Sequence, residues 1–184
     1  MKTLLSITAA AMMAGAPVAA FAQSATLTPL TTDTMSKVDT ATFVKTVPIA
    51  NTFEIESSRL AQTQATADDV KAFAAQMVTD HTKAGEDFKA ALSKGQTTSA
   101  TAPAGPSLDT KHQALLDQLK EASGDSFQSK YIDMQTQAHK EAVALFSAYA
   151  NSGDDPAMKE FAKKTLPVLQ MHERHVKDLA AAHQ

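Results

Sequence analysis

From Asp39 to Leu179 the apolar residues return every three or four positions in four long stretches, and no stretch alternates in twos. A 3.6-residue period gathers such positions on one face of a helix, where they can be buried only against another apolar face. In the first stretch the face is Phe43, Val47, Ala50, Glu54 and Ala61, widened by Phe53 and Leu60. The second presents Val70, Phe73, Met77, Ala84 and Phe88. The third presents Phe127, Tyr131, Met134, Ala138, Ala142, Leu145 and Tyr149, and the last Met158, Phe161, Thr165, Val168, His172, Val176 and Leu179. A shorter stretch carries Leu108, Leu115, Leu116 and Leu119. The expected fold is all-α, a four-helix bundle with an additional short connecting helix.

Local signals place the boundaries. Thr66 is expected to cap the second helix, with Asp69 reaching back to it, and Gly95 to end it. Asp125 is expected to cap the third long helix. Asp155 followed by Pro156 opens the last one. Pro48 should kink or divide the first helix, and Pro167 should bend the last without ending it. QTTSATAPAGPS, within a linker of about 95–107, is low in apolar content and long enough to cross from one end of a bundle to the other.

Residues 1–22, MKTLLSITAAAMMAGAPVAAFA, have the layout of a signal peptide: Lys2, a short run of small and apolar residues, then Ala20-Phe21-Ala22. Cleavage is expected before Gln23, which puts the protein in the periplasm or outside the cell. Residues 23–38 read as a disordered leader and 39–184 as a single helical domain. Cleavage takes Lys2 from the 17 basic residues and leaves 16 against 20 acidic ones, a formal charge of −4. No helix carries a basic stripe, so nucleic acid is not an expected partner. No stable membrane insertion is expected either, because no later segment is an unbroken apolar run of bilayer length. With no cysteine in the chain, stability outside the cytoplasm must come from packing. A monomer or weak oligomer is expected.

Two phrases, MVTDHTKA at 77–84 and QTQAHKEA at 135–142, place a histidine at matching positions 58 residues apart. His81 lies four after Met77, His139 four after Gln135, and His172 four before Val176. Glu54 is the acid set most clearly in an apolar face. Glu54, His81, His139 and His172, one from each long helix, are therefore expected to form a polar layer with Asp80 and His175 at its margin. Such a layer is either a set of hydrogen-bonded core histidines or a site for a divalent metal, and its donors suit Zn, Fe or Cu. Residues three before His81, His139, His172 and His175 are Val78, Thr136, Leu169 and His172. The Glu-x-x-His spacing of a dinuclear carboxylate bundle is missing. No catalytic residues are assigned: there is no cysteine nucleophile, no nucleophile elbow and no phosphate loop. His112 is expected to face solvent and His183 to belong to a fraying end.

NTFEIESSRLAQTQATADDVKAFAAQMVTDHTKA, then HQALLDQLKEASGDSF and TLPVLQMHERHV, resemble a bacterial exported family known as a domain of unknown function. Its members are often labelled putative exported or outer-membrane proteins and grouped with ferritin-like folds. The resemblance runs from about Phe43 to Leu179. It implies a secreted, ferritin-like bundle with no agreed activity, and its recurrent positions match Glu54, Asp80, His81, His139 and His172. Many relatives carry Asp-His in the third long helix, where this chain has Ala138-His139.

Three functional readings follow. The first is a non-enzymatic periplasmic bundle, associated with the envelope or with stress through the resemblance and the compartment. The second is a metal-binding protein with an inter-helix His/Glu site. The third is a protein-interaction module using an uncovered face of the short helix at Leu115, Leu116 and Leu119, its protein partner unknown.

Overall fold

The computed structural model describes residues 37–95 and 107–183. The expected signal peptide, nearly all of the expected leader and residues 96–106 of the expected linker lie outside the described residues. Among the described residues five helices form: α1 Thr40–Gln64, α2 Asp68–Lys94, α3 Thr110–Lys120, α4 Gly124–Ser152 and α5 Pro156–Ala182. No strand occurs among the described residues. α1 packs on α2 and α4, and α5 on α4 and α2, closing a four-sided bundle, while α3 lies against α1 and α4.

Two short turns join antiparallel neighbours, Ala65–Ala67 between α1 and α2 and Gly153–Asp155 between α4 and α5. The second turn depends on close approach: a Cβ on Gly153 would stand 2.6 Å from the Tyr149 carbonyl oxygen. Asp155 caps α5 as expected, its Oδ1 accepting from the amides of Ala157 and Met158 at 2.9 and 3.0 Å. α2 and α4 have no side-chain cap. Thr66 instead spends its hydroxyl on Asp125 and Gln128 of α4, a tertiary use that outcompetes the local one. Asp125 lies inside the first turn of α4, whose N-cap position is Ser123. Pro48 does not divide α1, and Pro167 lies inside an unbroken α5.

The core is two apolar clusters. At one end Phe73, Met77, Leu119, Phe127, Tyr131 and Leu179 pack together. At the other are Phe43, Phe88, Phe146, Tyr149, Met158 and Phe161. There Phe43 stacks on Tyr149 at 3.9 Å between ring centroids, and the Tyr149 hydroxyl bonds the Thr40 hydroxyl at 2.7 Å. Each such buried ring contributes about 1.5–3 kcal/mol through area removed from water.

Every long helix feeds both clusters, so its midpoint lies between them. Beside Phe53 and Leu169, polar residues are buried near those midpoints: Glu54, Ser57 and Ser58 on α1, His81 on α2, Gln135 and His139 on α4, His172 on α5. The buried face of α4 runs through Gln128, Ile132, Gln135 and His139, one residue or about 100° around the helix from the expected Met134, Ala138 and Ala142, which are only half-buried. On α5 the inward neighbour of His172 is Leu169, whereas Val168 is 37% exposed. Leu116 and Leu119 of α3 are buried. The open leucine face expected there is therefore mostly spent inside the bundle.

Candidate metal centre

Three of the midpoint histidines meet. The ring centroids of His81, His139 and His172 are 5.4–5.7 Å apart pairwise. One nitrogen from each lies within 4.8 Å of the other two. All three side chains are buried, with His139 and His172 each 1% exposed.

Hydrogen bonds on the far side of each ring decide what the inner side offers. His139 Nδ1 is 2.9 Å from the carbonyl oxygen of Gln135, one turn earlier on α4. A carbonyl only accepts, so Nδ1 carries the proton and Nε2 keeps a lone pair. His172 Nε2 donates to Asp80 Oδ2 at 2.8 Å, leaving its lone pair on Nδ1. His81 Nδ1 donates to Asn51 Oδ1 at 3.0 Å, leaving its lone pair on Nε2. Those three inner nitrogens, His81 Nε2, His139 Nε2 and His172 Nδ1, are buried without any hydrogen-bond partner.

The rings are held neutral. Burial drives His81 well below the ordinary histidine value, and the neighbouring imidazoles of His139 and His172 add to it. Burial takes His139 down to about 4, against the opposing bond to the Gln135 carbonyl. His172 is lowered by burial too, with Asp80 pulling the other way. Three neutral imidazoles with converging lone pairs are an acceptor-only set, and acceptors cannot satisfy one another. A cation satisfies all three.

Glu54 is not part of that convergent group. It is buried in the same layer, and its carboxyl is pushed up to about 8 by burial, against a hydrogen bond from Gln135. Its Oε2 has no partner. Glu54, His81 and His139 line one cleft of about 870 Å³ that opens between the helices. Asp80 stands beside the centre through His172, while His175 packs edge-on against Phe73 at 5.0 Å and stays outside it. Asn51 and the Gln135 carbonyl orient the rings, and the sequence reading missed both. Asn51 lies three before Glu54, which was the available signal.

Two other histidines differ from expectation. His112 is half-buried against Phe53, with its ring 5.4 Å away, and bonds Asp109. His183 ties the end of α5 to Asp69 and Gln128.

Over residues 16–179 the chain matches the family model described as Domain of unknown function (DUF4142). No curated protein and no solved structure matches it. Among the described residues no helix is long and apolar enough to cross a membrane.

Proposed function

We propose, for a chain that belongs to the DUF4142 family, that its function is to bind one divalent transition-metal ion through His81 Nε2, His139 Nε2 and His172 Nδ1. The observation that carries this reading is the convergence of three buried lone pairs whose partner N–H groups are already engaged. Metal-ligating histidines commonly give their second nitrogen to a carboxylate or a carbonyl. Asp80, the Gln135 carbonyl and the Asn51 amide oxygen supply that support here. Bonds of about 2.0–2.1 Å to a tetrahedral zinc would separate the nitrogens by about 3.4 Å. Closing from a triangle with sides of at most 4.8 Å asks each ring to move by about an ångström or less.

An all-imidazole set suits zinc or copper better than iron, for which the usual mononuclear set includes a carboxylate. Three protein ligands leave a fourth position open, and the cleft beside His81 and His139 gives access to it. The signal-peptide layout of residues 1–22 supports metal capture outside the cytoplasm. The ferritin-like label is kept as the family resemblance of this bundle, with no iron-storage role attached.

The test is metal content after loading with zinc or copper and desalting. One equivalent per chain is expected, falling below a tenth of an equivalent in the His81→Ala, His172→Ala double variant. At a free metal concentration a hundred times Kd the wild type should gain about 2.7 kcal/mol of stability. A folded wild type that retains no metal and gains no stability overturns the proposal. Export is checked by fractionation and by a mature N-terminus near Gln23.

A further inference from the structure

The cleft that reaches His81 and His139, two of the three histidines, is divided by chemistry. Its inner end holds Glu54, His81 and His139, all buried. Its walls are apolar, formed by Val47, Phe53, Phe88, Leu145, Phe146 and Leu169. At its mouth Arg59, Lys89 and Lys111 face Glu56, Glu86, Asp109 and Glu141, so the rim is close to balanced, with one acid in excess, and does not itself draw in an anion. About 870 Å³ is the size of a small-molecule site. Among the residues that line it, those with a buried polar atom lacking a protein partner are His81 (Nε2), His139 (Nε2) and Glu54 (Oε2), all at the inner end.

We infer that this cleft binds an apolar molecule with a single monoanionic, metal-coordinating head, an aliphatic carboxylate being the type. The inference rests on the metal reading above. Three neutral imidazoles leave the charge of a divalent ion uncompensated, and the Asp80 carboxylate supporting His172 is not among the residues lining the cleft. A monoanion at the open coordination position offsets that charge where water is sparse. Glu54 Oε2 offers the head a second polar contact. The tail then lies along the phenylalanine and leucine walls, where each methylene leaves water.

The full chain is loaded with Co(II), its cobalt content is measured, and the visible d–d bands are followed during titration. The probes are acetate, butanoate, hexanoate and octanoate below their micelle concentrations, with octylamine and octanol as head controls. Octanoate is expected to shift the cobalt bands. Its Kd is expected to be tighter than that of hexanoate by about sixteen-fold, roughly fourfold per methylene. Ala142→Phe, placed on the cleft wall, should keep its cobalt and lose at least tenfold in octanoate affinity.

Cobalt bound at one equivalent with bands that no carboxylate moves overturns the inference and leaves the metal site standing; that is also the result if Glu54 itself fills the fourth position. Equal affinity for acetate and octanoate overturns it as well, as does a preference for octylamine. Failure to bind cobalt appears in the metal analysis before any probe is added, and removes the metal reading and this inference together.

Discussion

Asp80 on α2 accepts the Nε2–H of His172 on α5 at 2.8 Å, and that bond decides which nitrogen of His172 faces the other two imidazoles. Asp80 is about a third exposed while His172 is buried, so a surface-accessible carboxylate sets the tautomer of a core ring. Asp80→Asn keeps the size but removes the charge, and it offers an amide N–H that favours the opposite tautomer. Zinc affinity is expected to fall 10- to 100-fold, measured by competition with a chromophoric chelator. The metal-free stability should change by less than about 1 kcal/mol, as for a partly exposed pair. Unchanged affinity would mean that His172 does not depend on Asp80 for its orientation.

The metal-free protein should have a peaked stability profile with pH. His81, His139 and His172 lie below 6.5 when folded, so from pH 6.5 downward the unfolded chain takes up more protons and stability falls. Glu54 runs the other way. Its folded value of about 8 exceeds the ordinary 4.5, so its contribution is full below 4.5 and is lost as pH rises toward 8. Below about pH 7 the three histidines outweigh one glutamate; their pull fades above 6.5, and from about pH 7 to 8 Glu54 dominates. Stability in chelator should therefore be greatest at about pH 7. Its slope on the alkaline side is at most about 1.4 kcal/mol per pH unit. Urea unfolding at pH 5.5, 7 and 8 checks this, and Glu54→Gln should abolish the alkaline decline.

How far this arrangement could be read from residue order depends on the range of the interaction. Periodicity gives a face of a helix, and it brought His81, His139 and His172 inward correctly. It does not resolve a step of one residue, about 100° around the helix. Val168 and Leu169 are equally apolar, and only the approach of α2 and α4 decides that Leu169 is buried and Val168 is not. Partners are tertiary facts throughout. Asn51 reaches His81 from another helix, and Thr66 abandons a local cap because Gln128 arrives from 62 residues away. His183 has the composition of a loose end, and Asp69 and Gln128 secure it. Ser57 and Ser58 have no apolar period to announce them, yet both are buried, bonded to Gln135 and Tyr131.

Gly85 lines the cleft one turn beyond His81, and a Cβ there would stand 3.1 Å from Asn51 Nδ2. Alanine usually strengthens a helix interior by about 0.5–1 kcal/mol. Here it would press on the amide that orients His81. Gly85→Ala is expected to leave global stability within about 1 kcal/mol of wild type while weakening zinc binding about tenfold. Adding Asn51→Ala should then bring little further loss, because both changes act through the same bond. Fully additive losses would assign Gly85 and Asn51 separate roles.

His139→Leu should move stability and metal binding in opposite directions. The ring is 1% exposed, its Nε2 has no partner, and its one hydrogen bond goes to a carbonyl of its own helix. A leucine removes the unpaired acceptor at similar volume, which is expected to raise metal-free stability by about 1–2 kcal/mol. The same variant should lose the gain that zinc confers on the wild type. Thermal unfolding with and without zinc reads both effects from one sample. A destabilised metal-free variant would show the imidazole satisfied by some other donor within the bundle.

Burial of the ligands should also show in how metal affinity responds to acid. Three exposed imidazoles of ordinary value 6.5 would each be about ten-elevenths protonated at pH 5.5, and competition from those protons would cost about a thousandfold in affinity. In this bundle burial lowers all three, with His139 at about 4 and His81 well below 6.5. Protons therefore compete poorly until the solution is much more acidic. Zinc affinity is expected to fall by less than about tenfold between pH 7.5 and 5.5, measured with a competing chelator whose own protonation is corrected for. A loss near a thousandfold would mean that the imidazoles titrate as if in water, which their burial in a closed core opposes.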